Sequence, residues 1–373
     1  MDPFVKASLH VGVVGGGVAG LACALAAARG GARVQVFEER PEHMQVDTHV
    51  EVVPSMLRDL VRIGVGDACV RAGFPFRRTN VLDQAGRKLF AIEAEALAGP
   101  RLPATLGITR SSFHEGLREA AVAAGCQMNR GLRVTDVGAD GSIEFARSAP
   151  VRADLVVLAC GSESPLRARV FGASPPVRPG PAWSYFLASR PVGLDEAVLA
   201  SARDGRKAHV VPVSSSQVGV RMAPAPHQLP HASAPAAWPG ELLAGFAGVL
   251  GALGDGARNE TRAVLRDAHA DVAAADWHRG ALLAVGDCAH RLPPHFGQSA
   301  AQAIEDAVVL GELLERGGSV DELSAAFVRR RRDRVAEVAA LTTLAARWDT
   351  EPEPATDLPA ITRALARLVH QPA

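Results

Sequence analysis

The sequence predicts an α/β protein that combines a parallel sheet, an inserted and mainly antiparallel sheet, and C-terminal helices. Three observations support this prediction. Residues 9–38 follow the pattern strand, glycine turn, helix, strand, and such a crossover makes the two strands parallel. The apolar runs 154–158 and 282–285 are continuous, which is typical of strands buried on both faces. Residues 183–223 contain three further strand-like segments, which belong to the second sheet.

The other elements are predicted from periodicity and turn residues. They are amphipathic helices at 55–63 and 111–124, hairpins within 76–100 and 132–148, and long helices at 299–315 and 321–346. Residues 173–182 are rich in proline and glycine, so we expect a domain boundary there.

The composition excludes several classes of protein. The 373-residue chain has as many acidic as basic residues, so it lacks the basic excess of a nucleic-acid-binding protein. No apolar run reaches the roughly 20 residues that cross a bilayer, and the N-terminus lacks the pattern of a signal peptide. The five scattered cysteines form no CxxC pair, which favours reduced thiols in a cytoplasmic protein over disulfides or a zinc site.

The first motif is Gly15-Gly16-Gly17-Val18-Ala19-Gly20. Gly15 permits a tight turn, Gly17 lets the backbone approach a pyrophosphate, and Gly20 lets the helix pack closely on the strand. The helix N-terminus then faces the phosphates. Glu38 ends the second strand, at the offset where an acid binds ribose hydroxyls. These residues predict a Rossmann-like dinucleotide site, and on their own they fit NAD as well as FAD.

A second motif decides between the two dinucleotides. A buried strand ends at Gly286, followed by Asp287 and then by the turn Pro294–Gly297. Asp287 is placed to contact a ribityl hydroxyl, and a helix that begins near Gln298 directs its positive end towards a flavin ring or pyrophosphate. The two motifs together predict FAD.

At these residues the sequence resembles the FAD-dependent aromatic hydroxylases, the group A flavoprotein monooxygenases that are similar to para-hydroxybenzoate hydroxylase. The second fingerprint of that family matches at Gly286, Asp287, Ala289, His290, Pro294, Gly297 and Gln298, with Glu305-Asp306-Ala307 in the following helix. Thr109-Arg110, with Phe113 and Leu117 behind it, matches a family segment whose arginine approaches the phosphate or ribose side of FAD. The resemblance covers about residues 1–345.

The resemblance implies the cofactor contacts and the division into domains. The predicted FAD-binding residues are Gly15, Gly17, Val18, Ala19, Gly20, Glu38, Arg40, Arg110, Val134, Cys160, Gly161, Gly286, Asp287, Pro294, Gly297, Gln298 and Ser299. The predicted parts are a discontinuous FAD-binding domain (1–75, 101–175 and 268–345), a substrate-binding domain (76–100 and 176–267) and a C-terminal extension (346–373).

Three positions depart from the family pattern. A third fingerprint, in which an Asp-Gly pair follows a buried strand, has Cys160-Gly161 here, so a carboxylate is replaced by a thiol. The glycine-rich loop that passes the flavin ring in the family is replaced by the bulkier segment 45–51. Ser299 takes the place of a glycine at the start of the helix.

The resemblance implies a monooxygenase. NADH or NADPH reduces the flavin, the reduced flavin forms a C4a-hydroperoxide with molecular oxygen, and an electron-rich aromatic or heteroaromatic ring takes the distal oxygen. The protein's tasks are to exclude water, to orient the ring and to help to deprotonate a phenol. Two alternatives stay open: a flavin oxidoreductase without oxygen insertion or with another electron source, and a flavin-binding protein without turnover. We expect a monomer or a homodimer.

Candidates for substrate contact lie on the inserted sheet. Trp183 and Tyr185 share one face of a strand by two-residue alternation, His209 lies on the next strand and Arg221 on the third. Arg221 is suited to bidentate pairing with a substrate carboxylate. The alternatives are a surface position for Arg221 and a purely structural role for Tyr185 in a half-buried strand.

The predicted catalytic residues are His295, His49 and Tyr185. By family geometry, His295 lies nearest the flavin with Pro294 beside it, so both are also predicted substrate contacts. His49 replaces a glycine of the loop. The alternative for both histidines is a solvent-facing side chain. His290 belongs to the family pattern as a structural residue, and the spacing supplies no third ligand for a metal.

Overall fold

The computed structural model describes residues 9–41, 47–172, 182–225, 239–257, 264–267, 276–350 and 357–373. Within these residues the strands, in chain order, are β1 (His10–Val14), β2 (Arg33–Glu38), β3 (His49–Val52), β4 (Phe74–Phe76), β5 (Arg78–Leu82), β6 (Lys88–Glu93), β7 (Thr105–Thr109), β8 (Gln127–Arg130), β9 (Val134–Val137), β10 (Ser142–Phe145), β11 (Val151–Arg152), β12 (Leu155–Leu158), β13 (Ala182–Ser189), β14 (Ala197–Ser201), β15 (Lys207–Pro212), β16 (Gln217–Ala223), β17 (Val264–Asp267), β18 (His278–Arg279) and β19 (Leu282–Ala284). The helices are α1 (Val18–Arg29), α2 (Pro54–Arg62), α3 (Gly66–Ala72), α4 (Arg110–Ala123), α5 (Pro165–Phe171), α6 (Pro239–Leu242), α7 (Val249–Gly256), α8 (Gln298–Arg316), α9 (Val320–Thr350) and α10 (Leu358–His370).

The first sheet has the strand order β18-β19-β12-β1-β2-β8. Its neighbouring strands pair in parallel, except for the antiparallel pair β18–β19. Every residue of β1, β12 and β19 is buried, as their apolar sequences require. Helix α1 covers this sheet and packs against α4 and α8. The small side chains of α1 and α8 permit close contact, since a Cβ on Gly311 would lie only 3.2 Å from the Cβ of Ala26.

The second sheet has seven strands in the order β17-β13-β16-β15-β14-β5-β6. Its pairs are antiparallel except for β14–β5, so the prediction of a mainly antiparallel second sheet is confirmed. One face packs in a buried cluster that includes Phe186, Val220 and Leu250 of α7. The opposite face of β13 carries Trp183 and Tyr185, in accordance with the two-residue alternation.

One local expectation needs correction, and another falls outside the described residues. The part of the 45–51 segment that the structure describes is not all loop, because β3 begins at His49 and pairs antiparallel with β7. The alternation of polar residues with Val50 and Val52 explains the strand, whereas Gln45 and Val46 lie outside the described residues. The predicted boundary at 173–182 also lies outside them, except for Ala182.

The C-terminal extension contains a helix that packs on the rest of the chain. Asp357 caps α10 by accepting a hydrogen bond from the Ala360 amide at 2.9 Å. Leu365 and Val369 are buried against α9. The division into domains stays a prediction, which is supported by the membership of β5, β6 and β17 in the second sheet.

Within the described residues, every helix is too short or too polar to span a bilayer.

Candidate active site

The glycine turn after β1 leaves space for a phosphate group. Gly15 has φ +107°, and a Cβ there would lie 2.4 Å from the Ala159 carbonyl oxygen, so only glycine fits. A Cβ on Gly20 would lie 1.9 Å from the Gly15 carbonyl oxygen. By contrast, a Cβ on Gly17 would meet no atom within 4 Å. Gly17 is the N-cap of α1 and has no side chain, so it does not cap the first amides of this helix, which stay available to a phosphate.

Glu38 and His114 hold this turn in place, and His114 was not predicted from the sequence to be a site residue. The Glu38 carboxylate accepts hydrogen bonds from the amides of Gly16 (2.7 Å) and Arg40 (3.0 Å). The ring Nε2 of His114 lies 2.7 Å from the Gly16 carbonyl oxygen. His114 is on α4, one turn after the predicted Arg110, so the two residues lie on the same face of that helix. The only signal in the sequence was its spacing of four from Arg110 on a predicted helix.

Val134 reaches the same end of the first sheet. It is buried at the start of β9, and the amide of Leu132, two residues earlier, donates to the Glu38 carbonyl at 3.1 Å.

The second motif directs α8 at the same cleft. Gly286 follows β19 with φ +56°. Phe296 (φ 56°) and Gly297 (φ 64°) both adopt the left-handed conformation, and Phe296 is the only non-glycine residue of the described chain that does so. Together they turn the chain into α8, whose N-terminus has no side-chain cap. Gln298, the first residue of the helix, is buried and donates to the Phe296 carbonyl.

Asp287 and Ser299 connect the end of β19 with the start of α8. The Ser299 hydroxyl donates to the Asp287 carboxylate at 2.8 Å, and Asp287 is exposed. The serine that replaces a glycine therefore orients the predicted ribityl contact. Next to it, Gly161 has φ +82° and would have no atom within 4 Å of a Cβ. These open glycines and two uncapped helix ends fit the pyrophosphate and ribityl chain of FAD.

A buried ionic network centred on Asp306 contacts the second motif at Gly286 and His290. Asp306 accepts hydrogen bonds from the Gly286 amide (2.8 Å), His290 Nε2 (2.7 Å) and Arg331 Nε (2.8 Å). Burial alone would raise the pKa of Asp306, but His290 and Arg331 outweigh it and lower that pKa to about 2. His290 is fully buried in this network, so it has the structural position expected of it.

The predicted substrate residues converge on the Pro294–Gly297 turn. The rings of Trp183 and His295 are in edge contact, with centroids 4.8 Å apart. The Arg221 guanidinium lies 4.7 Å above the Trp183 ring and donates to the Pro294 carbonyl. Arg221 is partly buried, so its predicted alternative as a surface residue is wrong. Its Nε is buried and has no hydrogen-bond partner among the described residues.

A second group of polar side chains extends from Arg221 to β3. Arg221 Nη2 lies 3.5 Å from His209 Nδ1, and His209 Nε2 lies 3.8 Å from the Glu51 carboxylate. Because an arginine can only donate, Nδ1 accepts and the neutral His209 ring carries its proton on Nε2, facing Glu51. Glu51 was missed as a site residue, because the sequence did not show that β3 packs against β16.

His49 packs into the same region. A Cβ on Gly219 of β16 would lie 2.1 Å from the His49 ring, so this glycine makes room for the imidazole. The ring centroids of His49 and Tyr185 are 6.1 Å apart. All three predicted catalytic residues therefore belong to one group of side chains. We call this group the substrate cluster and define it as Trp183, Tyr185, His209, Arg221, His295, His49 and Glu51.

Burial sets the charges in the substrate cluster. It lowers the pKa of His49 to about 3 and the pKa of His209 well below its usual range, and the neighbouring Arg221 acts in the same direction. Burial also raises the pKa of Glu51, against the opposing effect of Arg221. At neutral pH both imidazoles are neutral, and Arg221 is the cation of the cluster.

The fold and the site define a flavoprotein that combines a Rossmann-like, mainly parallel sheet with a second, mainly antiparallel sheet. Comparison with known proteins identifies the family. The FAD binding domain family matches residues 8–238 and 254–342, so the chain belongs to it. The predicted resemblance to the FAD-dependent aromatic hydroxylases is confirmed, and FAD is the cofactor of this monooxygenase family.

The individual relatives span nearly the whole chain. The aurachin C monooxygenase/isomerase of Stigmatella aurantiaca is 28% identical, over 89% of this chain and 86% of that protein. The 6-hydroxynicotinate 3-monooxygenase of Bordetella bronchiseptica is 29% identical, over 85% of each chain. The fold also matches the tetrameric form of 2-methyl-3-hydroxypyridine-5-carboxylic acid oxygenase, with a TM-score of 0.82, 20% identity, and coverage of 98% of this chain and 96% of that one.

Gly17→Ala is expected to weaken FAD binding without affecting the fold. Its φ of −76° suits alanine and the added methyl meets no protein atom, but it would occupy the space beside the α1 amides. Losing a hydrogen bond to a charged phosphate costs about 1.5–3 kcal/mol, so Kd should rise about 10- to 100-fold. Titration of cofactor-free protein by flavin fluorescence measures this change. Gly116→Ala on α4, also in open space, is the control and should leave Kd unchanged.

Proposed function

We propose that the protein hydroxylates a small aromatic or heteroaromatic acid, with NADH or NADPH as the electron donor. One observation carries this proposal: a cation, Arg221, and the indole ring of Trp183 both lie against the Pro294–Gly297 turn of the second FAD motif. A planar anionic ligand matches this arrangement in both shape and charge.

Arg221 is the group that we propose to bind the substrate's anionic end. Its Nε has no partner among the described residues, although burying an unsatisfied N–H carries a cost. A carboxylate that accepts from this group would remove that cost. The named substrate of the Bordetella relative, 6-hydroxynicotinate, is a heteroaromatic acid, which supports the same class for this chain.

The other residues of the cluster position the ring and protect the reaction. FAD, when bound, supplies the redox and oxygen chemistry. Trp183 is buried and provides an apolar wall, and Tyr185 extends the same face of β13. Burial of the cluster excludes water, which favours transfer of oxygen to the substrate over its loss as hydrogen peroxide.

His295 is the base that we propose for a ring hydroxyl, because it is buried at the turn and contacts Trp183. The low pKa of His49 makes it a weak base, so we assign His49 to substrate contact. His209 orients Arg221 from the side of Glu51. We further propose a cytoplasmic monomer or homodimer, in keeping with the free cysteines of the described chain.

The proposal is tested with FAD-loaded protein and matched pairs of aromatic compounds. Hydroxylated benzoates and pyridine carboxylates are each compared with the corresponding amide, which has the same shape without the charge. We expect the acids to stimulate NAD(P)H oxidation and to give products that gain one oxygen atom, and the amides to do so much less. Flavin reduction by dithionite alone, with no NAD(P)H oxidation across the panel, would indicate a flavin-binding protein without this activity.

A further inference from the structure

Two cysteines lie in contact where the FAD motifs meet. Cys160 follows β12 and Cys288 follows β19, and these strands are parallel neighbours in the first sheet. Their sulfur atoms are 3.6 Å apart, which is the distance of a thiol hydrogen bond. Cys160 belongs to the third fingerprint, where the family has an aspartate, and Cys288 directly follows Asp287 of the second motif.

The two thiols differ in exposure and acidity. Cys160 is half-buried, whereas Cys288 is 1% exposed. The hydrogen bond from Cys288 is the main cause that lowers the pKa of Cys160 to about 7, with further help from Ser164 and nearby amides, against the effect of burial. The same contact, together with burial, raises the pKa of Cys288. A half-exposed thiolate beside a buried thiol is the arrangement of an attacking and a resolving cysteine.

We propose that Cys160 and Cys288 form a peroxide-reactive dithiol that closes to an intramolecular disulfide across the two FAD motifs. The Cys160 thiolate attacks one oxygen of a hydroperoxide, the O–O bond breaks, and the leaving oxygen takes a proton. The Cys288 sulfur then attacks the resulting sulfenic acid, the S–O bond breaks, and water leaves with the Cys288 proton. The two sulfurs lose two electrons and the peroxide gains two.

The contact leaves a short distance to close. A disulfide has an S–S length of about 2.05 Å, so the two sulfurs must approach by roughly 1.5 Å. Reduction by two equivalents of a small thiol restores the dithiol through a mixed disulfide. The site needs only the two cysteines and peroxide, so it does not depend on the hydroxylation proposed above.

The direct test uses the whole reduced protein and hydrogen peroxide. After treatment, thiols are blocked with N-ethylmaleimide, and the protein is analysed by non-reducing tryptic mapping. We expect the peptide 153–167 linked to the peptide 280–291, a mass loss of two hydrogens, and recovery of the separate peptides with dithiothreitol. Free thiols should decrease from the five of the chain to three. The rate should increase as pH rises through about 7.

Separate variants test the attacking role of Cys160 and the resolving role of Cys288, so the test does not depend on the folding of any one variant. Cys288→Ser, which keeps a hydrogen-bond donor beside Cys160, should leave Cys160 as a sulfenic acid that dimedone traps, whereas Cys160→Ser should abolish peroxide reactivity at this site. Cys126→Ser, which changes a buried cysteine that contacts the Ala24 carbonyl of α1, should still form the link. Five thiols remaining after excess peroxide, Cys160 recovered as an unlinked sulfinic acid, or linkage of any other pair would each overturn the proposal.

Discussion

Arg221→Met is expected to raise KM for an aromatic acid about 10- to 100-fold, with a smaller change in kcat. Methionine retains the apolar contact with Trp183 but removes the cation that we propose to bind the substrate. Hydrogen bonds to charged groups contribute about 1.5–3 kcal/mol, which corresponds to this range of affinity. Steady-state kinetics with an acid from the panel measures the effect.

Comparison with the uncharged amide distinguishes recognition from damage to the site. If Arg221 binds the carboxylate, Arg221→Met should change KM for the amide only slightly, because an uncharged ligand gains little binding energy from the cation. Arg203→Met, at an exposed position in a turn of the same sheet, should leave both substrates unaffected. An equal increase in KM for the acid and the amide would show that Arg221 supports the structure of the site and does not recognise the substrate's charge.

Asp306→Ala is expected to reduce the free energy of unfolding by about 3–5 kcal/mol, the usual cost of removing one partner of a buried ion pair. The change leaves Arg331, which is 0% exposed, with a weakened set of partners. It also removes the acceptor of the Gly286 amide and of His290. Urea denaturation measures the loss, and weaker FAD retention should accompany it because Gly286 starts the second motif.

The double variant Asp306→Ala/Arg331→Met tests the cause. Removing both charges should recover part of the lost stability, since no uncompensated cation then stays buried. Asp333→Ala, at an exposed position on α9, is the matched control and should change stability by less than about 0.5 kcal/mol. A small effect of Asp306→Ala would mean that the network contributes little to the fold.

The same network makes the free energy of unfolding depend on pH. The folded-state pKa of Asp306 is about 2, below its ordinary value of 3.8. A depressed carboxyl pKa stabilises the fold above the unfolded value, so this contribution of about 2 kcal/mol is complete above roughly pH 5 and is lost as pH falls towards 2. Denaturation curves between pH 6 and 3 should show a smaller decline for Asp306→Ala than for the wild type.

The sequence was sufficient for the parts of the protein that local patterns determine. The glycine spacing at 15–20 requires close backbone contacts, and the structure shows them at Gly15 and Gly20. The Pro294–Gly297 turn correctly indicated that α8 begins at Gln298. Two-residue alternation placed Trp183 and Tyr185 on one face of β13. These inferences depend on residues close together in the chain, where steric rules leave few alternatives.

Contacts between distant segments could not be derived in this way. Glu51 reaches His209 because β3 pairs with β7 and packs over Gly219, and no local pattern indicates that docking. Similarly, the sequence placed Arg221 on a strand but did not indicate the layer that covers it, so a surface position stayed open. The contact of Cys160 with Cys288, 128 residues apart, required the pairing of β12 with β19.

The proposed hydroxylation requires bound FAD to deliver oxygen to an aromatic acid held at Arg221. A single reaction under ¹⁸O₂ with the best acid of the panel, followed by mass spectrometry of the product, tests this requirement. We expect one ¹⁸O atom in each hydroxylated product, with NAD(P)H consumed in proportion. Oxygen recovered only as hydrogen peroxide, or a product whose new oxygen comes from water, would contradict it.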